Sequence, residues 1–291
     1  MTIPHLPVMV REVIEILNPK KGGIYVDATV GLGGHAESIL NMIGKSGIMI
    51  GIDRDQAALH VTEKKYDDSR LILRHGNFSD MERILSEEGF SSVDGILFDL
   101  GVSMKQLRDL VRGFSFFSDE RLDMRMDTSQ RFSAWDIVNR YAEKDLVRIL
   151  KDYGEEHRAV RIARAIVRQR DKKNIHSCSE LADIVSRTVG RRGRIHPATK
   201  TFQAFRIEVN KEMDELEKGL NTSLNQLNRS GRFCVISYHS LEDRAVKTFI
   251  RDNAKKGLVR SLTKKPLTPA LIEKRLNASS RSAKLRGAEK L

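Results

Sequence analysis

A chain of 291 residues holds one large domain or two modest ones, and its 40% hydrophobic content is enough to bury a core. The 51 Lys and Arg against 39 Asp and Glu leave a net charge of +12; this suits a polyanionic partner such as nucleic acid, since each cation that neutralises a phosphate releases counterions, although a merely soluble basic protein would read the same way. Two cysteines without a Cys-x-x-Cys pair argue against a disulfide framework and a metal site; no apolar run approaches the ~20 residues that span a bilayer, and Arg11 and Glu12 interrupt the N-terminus before a signal-like stretch forms. The expectation is a cytoplasmic protein without a membrane partner.

In chain order, residues 8–17 have helical spacing and stop at Asn18-Pro19. Residues 24–28 read as a short buried strand, followed by a glycine loop and a helix over 35–43. A second strand at 48–52 precedes a helix at 55–65, a third at 71–75 precedes a helix near 79–88, and 93–100 is a fourth strand. Such alternation predicts an α/β fold, a parallel sheet with helices on both faces. In open sheets of this kind ligands bind beyond the carboxyl ends of the strands, so the loops after Ala28, Ile52, His75 and Leu100 are expected to meet at one site. From 107 to 201 strand-like runs vanish and helical patterns dominate. Residues 202–228 read as one long helix and 232–238 as another strand, so the simplest account is a helical insert, 107–201, in a core made of 1–106 and 202–291. The last 38 residues carry eleven Lys or Arg against Glu273 and Glu289, a basic tail that is either a solvated end or an RNA-facing arm.

The glycine loop, Asp27-Ala-Thr-Val-Gly31-Leu-Gly33-Gly34-His35, lets backbone approach a nucleotide-like ligand. Alone it also fits a dinucleotide fingerprint or a plain turn. Asp27 ahead of the glycines repels a pyrophosphate but suits the ammonium and sulfonium charges of S-adenosylmethionine. Asp53 ends the second strand where an acid can hold ribose hydroxyls, or else cap the next helix. In His75-Gly-Asn-Phe78-Ser-Asp80, Phe78 is placed to lie on an adenine while Asn77 or Asp80 reads its edge; the competing reading is a turn with Ser79 as helix cap.

Asp99, in Phe-Asp-Leu-Gly-Val-Ser, is the best candidate for the chemistry. An exocyclic amine on a nucleobase is a poor nucleophile because its lone pair is delocalised; acceptors on its N–H bonds localise that pair, and positioning supplies most of the gain. A contact to cofactor alone is the alternative. In Ser237-Tyr238-His239-Ser240-Leu-Glu-Asp243, Ser240 and Asp243 fit a capping box, His239 is a weaker catalytic candidate, and a buried structural histidine is its competing role. Tyr238, Phe114, Phe116 and Phe117 are candidates for stacking on an unpaired base, with core packing as the alternative. Arg158, Arg161, Arg164 and Arg168 share one side of a helix, and Arg187, Arg191, Arg192 and Arg194 follow without an evident acid, a better place for phosphate contact.

Taken together these motifs resemble the bacterial 16S rRNA (cytosine-N4)-methyltransferases of the decoding centre, the MraW or RsmH family. The matching segments are residues 5–13, 27–40, 51–55, 75–80, 99–103, 112–116, 122–127, 196–210 and 237–249; they span nearly the whole chain in order. The resemblance implies a Rossmann-like S-adenosylmethionine-dependent core with an inserted all-helical domain for RNA recognition. It implies methylation of N4 of cytosine 1402 in the small ribosomal subunit, with S-adenosylhomocysteine released. It carries cofactor binding onto Gly33, Gly34, His35, Asp53, Phe78, Asp99 and Gln106; His35 and Gln106 come from the resemblance alone. Where the family reads Ser-Ser-Pro-Gln, this chain has Ser103-Met104-Lys105-Gln106, which frees the loop and loosens the assignment of Gln106. Asp119-Glu120-Arg121-Leu122 also departs from the family's Asp-Gly-Pro-Leu. A DNA or transfer-RNA methyltransferase and a non-catalytic ribosome-assembly factor are the alternatives, and the sequence is compatible with a homodimer.

Overall fold

The computed structural model describes residues 7–103, 106–107, 109–190 and 196–291. They form two compact units, one running to Gly101 and resuming as Met213–Leu291, the other Val102–Glu212.

In the first unit, strands β1 (Ile24–Asp27), β2 (Ile48–Asp53), β3 (Leu71–His75), β4 (Val93–Asp99), β5 (Leu227–Ser237), β6 (Val259–Ser261) and β7 (Lys284–Lys290) make one sheet in the order β3-β2-β1-β4-β5-β7-β6. The first five are parallel, and β7 runs antiparallel to both β5 and β6. Successive side chains point to opposite faces, so each strand feeds two apolar layers. Val26, Ile50, Ile96, Phe98, Phe233 and Val235 enter one core, whereas Tyr25, Met49, Leu97, Cys234 and Ile236 enter the other. Helices α1 (Val10–Leu17), α2 (Gly34–Ile43), α3 (Gln56–Lys65) and α4 (Met81–Glu87) follow the pattern read from the sequence to within a few residues.

The second unit contains α5 (Ala134–Arg140), α6 (Glu143–Asp152), α7 (Ala159–Arg170), α8 (Cys178–Val189) and α9 (Thr199–Asn210) around its own core, which includes Ile137, Leu146, Ile149, Ile162, Leu181 and Phe205. Reciprocal caps start two of these helices. Ser177 Oγ accepts from Glu180 N while Glu180 Oε2 accepts from Ser177 N, both at 3.2 Å, and Asp136 Oδ2 accepts from Ser133 N at 3.0 Å.

Three expectations are corrected. The single helix over 202–228 is two, α9 and α10 (Glu212–Gln226), separated by Lys211 at φ 49° in the left-handed region. Arg206 spans the break with two 2.8 Å bonds to Glu212. Because α9 packs Phe202, Phe205 and Val209 into the helical core, the chain re-enters the first unit at Met213 and not near residue 202. Finally, the basic end is not a loose tail. After α11 (Ser240–Lys255), it builds β6, α12 (Leu271–Leu276) and β7, and β7 is hydrogen-bonded on both edges inside the sheet. Several of its cations are consumed internally. Glu289 accepts from Arg232 and Arg260, and Asp243 accepts from Arg286 and Lys284. Burial alone would push the Asp243 carboxyl up, but those two partners hold it below its usual value. Among the described residues no helix is long and apolar enough to cross a membrane.

Candidate cofactor and active site

The carboxyl ends of β1, β2 and β4 each finish on an aspartate: Asp27, Asp53 and Asp99. The glycine loop after β1 is pinned to its neighbours by backbone bonds from Ala28 N to Leu97 O (2.8 Å) and Val30 N to Ile52 O (2.9 Å). Gly31 and Gly33 have φ of 50° and 78°, and a Cβ at Gly33 would stand 2.5 Å from the Tyr66 ring, so the turn needs glycine there for both conformation and space. Gly33 caps α2, and Gly34 and His35 form its first turn. Asp53 holds the loop from the side, one oxygen accepting from Gly31 N and the other from Asp55 N, both at 2.8 Å. Asp55, not Asp53, is the side-chain cap of α3. Burial pushes the Asp53 carboxyl up despite those two amides.

Asp27 is 1% exposed. Burial pushes its carboxyl up to about 7; His35 and the Thr29 amide pull the other way, while Asp99 and Asp53 add to the rise. Thr29 ties two of the strand ends together: its amide donates to Asp27 Oδ1 (3.1 Å) and its hydroxyl oxygen accepts from Asp99 N (2.7 Å). His35, 5% exposed, has Nε2 2.8 Å from Val8 O, and since a carbonyl only accepts, that nitrogen carries a proton. Its Nδ1 then faces Asp99 Oδ2 at 3.7 Å, close enough for a charge contact when the ring is doubly protonated. The other oxygen of Asp99 accepts from the Tyr238 hydroxyl at 2.7 Å. Burial and the nearby Asp99 raise that hydroxyl well above its ordinary value, so it remains a donor at neutral pH.

Not every expected residue joins this cluster in the expected way. Phe78 is buried edge-on against Phe98 (5.6 Å, 84°), with Gly219 so close that a Cβ there would come 2.6 Å from its ring. The Arg54 guanidinium lies 5.9 Å from its ring centre. Ser79 donates to Glu215 and is not the cap; Asp80 instead accepts from Asn77 N at 3.2 Å. The Asn77 amide oxygen is buried with no well-formed hydrogen bond. His239 has a capping role at the start of α11, its Nδ1 accepting from Glu242 N (3.3 Å) while Glu242 Oε2 accepts from Tyr238 N (2.8 Å) and His239 N (3.3 Å). The cap therefore lies one residue before the Ser240–Asp243 pair, whose Asp243 is turned to Arg286. Gln106 belongs to the second unit, where its side-chain oxygen accepts from Ser103 N (3.0 Å) and closes a local turn. Met104 and Lys105 lie outside the described residues.

The arrangement fits a compact cationic ligand that also carries a nucleoside. Burial outweighs the charges of His35 on Asp27 and of Arg54 on Asp53, so a positive charge on the ligand would add to what they supply. At Gly31 an added Cβ would meet nothing nearer than Thr29 O at 3.8 Å, so the turn leaves its backbone open there.

The MraW methylase family matches residues 2–291. The chain belongs to that family. Curated relatives called ribosomal RNA small subunit methyltransferase H agree with it over their full length: 48% identity with the protein of Persephonella marina (99% of this chain, 100% of that one) and 47% with that of Geobacter sulfurreducens (100% of each). The Clostridioides difficile relative is 41% identical over 85% of this chain and 81% of its own.

In this methylase two of the matching motifs, 122–127 and 196–210, build the helical unit. Within 122–127, Arg125 grips Asp123 with two 2.7 Å bonds, and Met124 takes a left-handed φ of 60°. Asn210, at the end of the 196–210 motif, accepts from Met126 N and donates to Met124 O, both at 2.8 Å. The basic face of α7 is more mixed than expected. Arg161, Arg164 and Arg168 are exposed on one side, Arg164 with Glu143 3.2 Å away, while Arg158 donates to Val189 O. Arg187 does have an acid nearby, Asp183 at 3.4 Å. Arg191, Arg192 and Arg194 lie outside the described residues.

Three links escaped sequence reading: Thr29 between Asp27 and Asp99, Tyr238 on Asp99, and His239 as the cap. Each joins residues brought together by sheet pairing or by the exact start of a helix, and spacing along the chain carries no signal for either.

Proposed function

We propose that this methylase modifies N4 of cytosine 1402 in 16S rRNA of the small ribosomal subunit, in the cytoplasm. The observation that carries the reading is the set of three aspartates on adjacent parallel strand ends, with His35 and Tyr238 bracketing Asp99. The names of the full-length relatives support RNA as substrate, and the net charge of +12 agrees with it. S-adenosylmethionine, when bound, supplies an electrophilic methyl group on a sulfonium centre and leaves as S-adenosylhomocysteine.

Gly33 and Gly34 admit the ligand to the backbone, and Asp53 holds ribose hydroxyls with the lone pairs left over from Gly31 and Asp55. Phe78 with Asn77 borders the adenine, and Asp27, His35 and Asp99 set the charge of the donor end. The helical unit, with the exposed arginines of α7, holds RNA. Asp99 accepts from the N–H of the incoming cytosine amine and concentrates its lone pair. The Tyr238 hydroxyl fixes which way that carboxylate faces. Positioning and preorganised charge supply the rate, and the amine's surplus proton leaves to water.

The test is transfer of a labelled methyl group to small subunits from cells lacking the enzyme, with free 16S rRNA, transfer RNA and DNA alongside, and mapping of the modified nucleotide. Label at N4 of that cytosine is expected. Label in DNA or transfer RNA alone would replace the substrate, and no transfer to the assembled particle would leave only a binding factor.

A further inference from the structure

Three aromatic residues of the helical unit are left without a role by the cofactor site. Phe116 and His196 lie parallel, ring centres 4.3 Å apart with 8° between their planes. Phe116 is anchored from below, edge-on to the buried Phe202 at 5.8 Å and 87°. Phe117 stands edge-on to both, 4.8 Å from Phe116 and 5.7 Å from His196, and is 76% exposed. The backbone beneath is also held. Ser115 Oγ accepts from Phe117 N (3.3 Å), and His196 Nδ1 accepts from Ala198 N (3.2 Å). The Ser118 hydroxyl donates to Leu110 O (2.8 Å), which brings exposed Leu110 to the same turn.

A single exposed phenylalanine needs no explanation, but one fixed on a stacked pair that is itself rooted in the core is a preorganised π surface. Its ordering cost is already met before any ligand arrives. The stretch that runs into His196 is Gly190-Arg-Arg-Gly-Arg194, three arginines without an acid among them. Asp119, two residues after Phe117 in the chain, accepts from the Ser179 hydroxyl (2.5 Å). Aromatic faces on a segment whose sequence also carries a run of arginines suit a polymer that alternates flat rings with phosphates, and unpaired RNA bases are read by such stacking.

We propose that Phe117, supported by Phe116 and His196, is a stacking platform for an unpaired nucleobase of the RNA substrate, separate from the base that is methylated. This rests on the RNA reading above and adds to it a second point of grip.

The experiment measures equilibrium binding of the S-adenosylhomocysteine-loaded protein to unmethylated small subunits, for the native chain, Phe117→Ala, Phe117→Leu and Phe117→Trp. Melting temperature and cofactor affinity are followed as controls of folding. Loss of one stacked base is expected to weaken binding roughly tenfold in Phe117→Ala. Phe117→Leu should fall with it, and Phe117→Trp should bind at least as well as the native chain. Native binding by Phe117→Ala, with the native chain itself bound, overturns the platform and leaves the RNA reading standing. Full recovery by Phe117→Leu also overturns it, because an apolar protein contact would then be the occupant. Failure of the native chain to bind the particle at all overturns both.

Discussion

The helical unit and the strand-end site of the sheet unit treat buried charge differently. In the helical unit each acid of the motif network meets an arginine: Asp123 has Arg125, Glu212 has Arg206, and Glu208 has Arg148 at 3.5 Å with Tyr141 donating to it at 2.8 Å. In the sheet unit, Asp27 and Asp53 sit at strand ends with amide and hydroxyl partners and no ion pair among the described residues; the charges of His35 and Arg54 offset burial only in part, and both carboxyls are pushed up. Charge that is answered within the chain holds a fold together. Charge left for something else to answer marks the place where a ligand acts.

The sharpest way to break this comparison is pH. The Asp27 carboxyl lies at about 7 when folded against 3.8 unperturbed. Between those values the unfolded chain releases the proton first, so stability falls as pH rises from about 4 to 7 and is flat above. The span corresponds to on the order of 4 kcal/mol. Asp27→Asn is expected to flatten that slope and raise the melting temperature at pH 8, while weakening the cofactor. A slope unchanged in the variant would show that Asp27 is not the unanswered charge. Next in size, Arg206→Ala leaves Glu212 without its partner across the helix break and should cost on the order of 3 kcal/mol in denaturant titration, with cofactor affinity in calorimetry close to native. The opposite signature is expected of Asp53→Ala and Asp99→Ala, each weakening the cofactor by about 2 kcal/mol, roughly thirtyfold, with little loss of melting temperature. Full affinity in both would overturn the site. The smallest effect belongs to Tyr238→Phe. It removes one donor to Asp99, and turnover at saturating substrates should fall about tenfold while the melting temperature moves little. A structural Tyr238 would reverse that pattern.

Much of the sheet unit was legible because its signals are local. Three β-α steps and a fourth strand, each strand an apolar run and each loop opening on Gly or Asp, put Asp27, Asp53, Phe78 and Asp99 at or just beyond strand ends. The errors lie where local signals continued across a tertiary event. The helical periodicity of 202–228 runs unbroken through Lys211, yet Asn210 is claimed by Met124 and Met126, eighty-odd residues earlier, and Arg206 reaches past it to Glu212. The basic count after residue 254 looked like a free end. Glu289 and three of the cations there, Arg260, Lys284 and Arg286, belong to ion pairs that also draw in Arg232 of β5 and Asp243 of α11 and that only sheet order reveals.

What the order of residues settled alone was the list of elements, the strand-end acids and the glycine turn, because periodicity and backbone freedom act over a few residues. Which oxygen of Asp99 is held, which residue caps α11, and whether an arginine or a phenylalanine is spent inside or offered outside were settled by tertiary packing. Those outcomes depend on partners far along the chain, and only the folded sheet and helical core decide which of them come within reach.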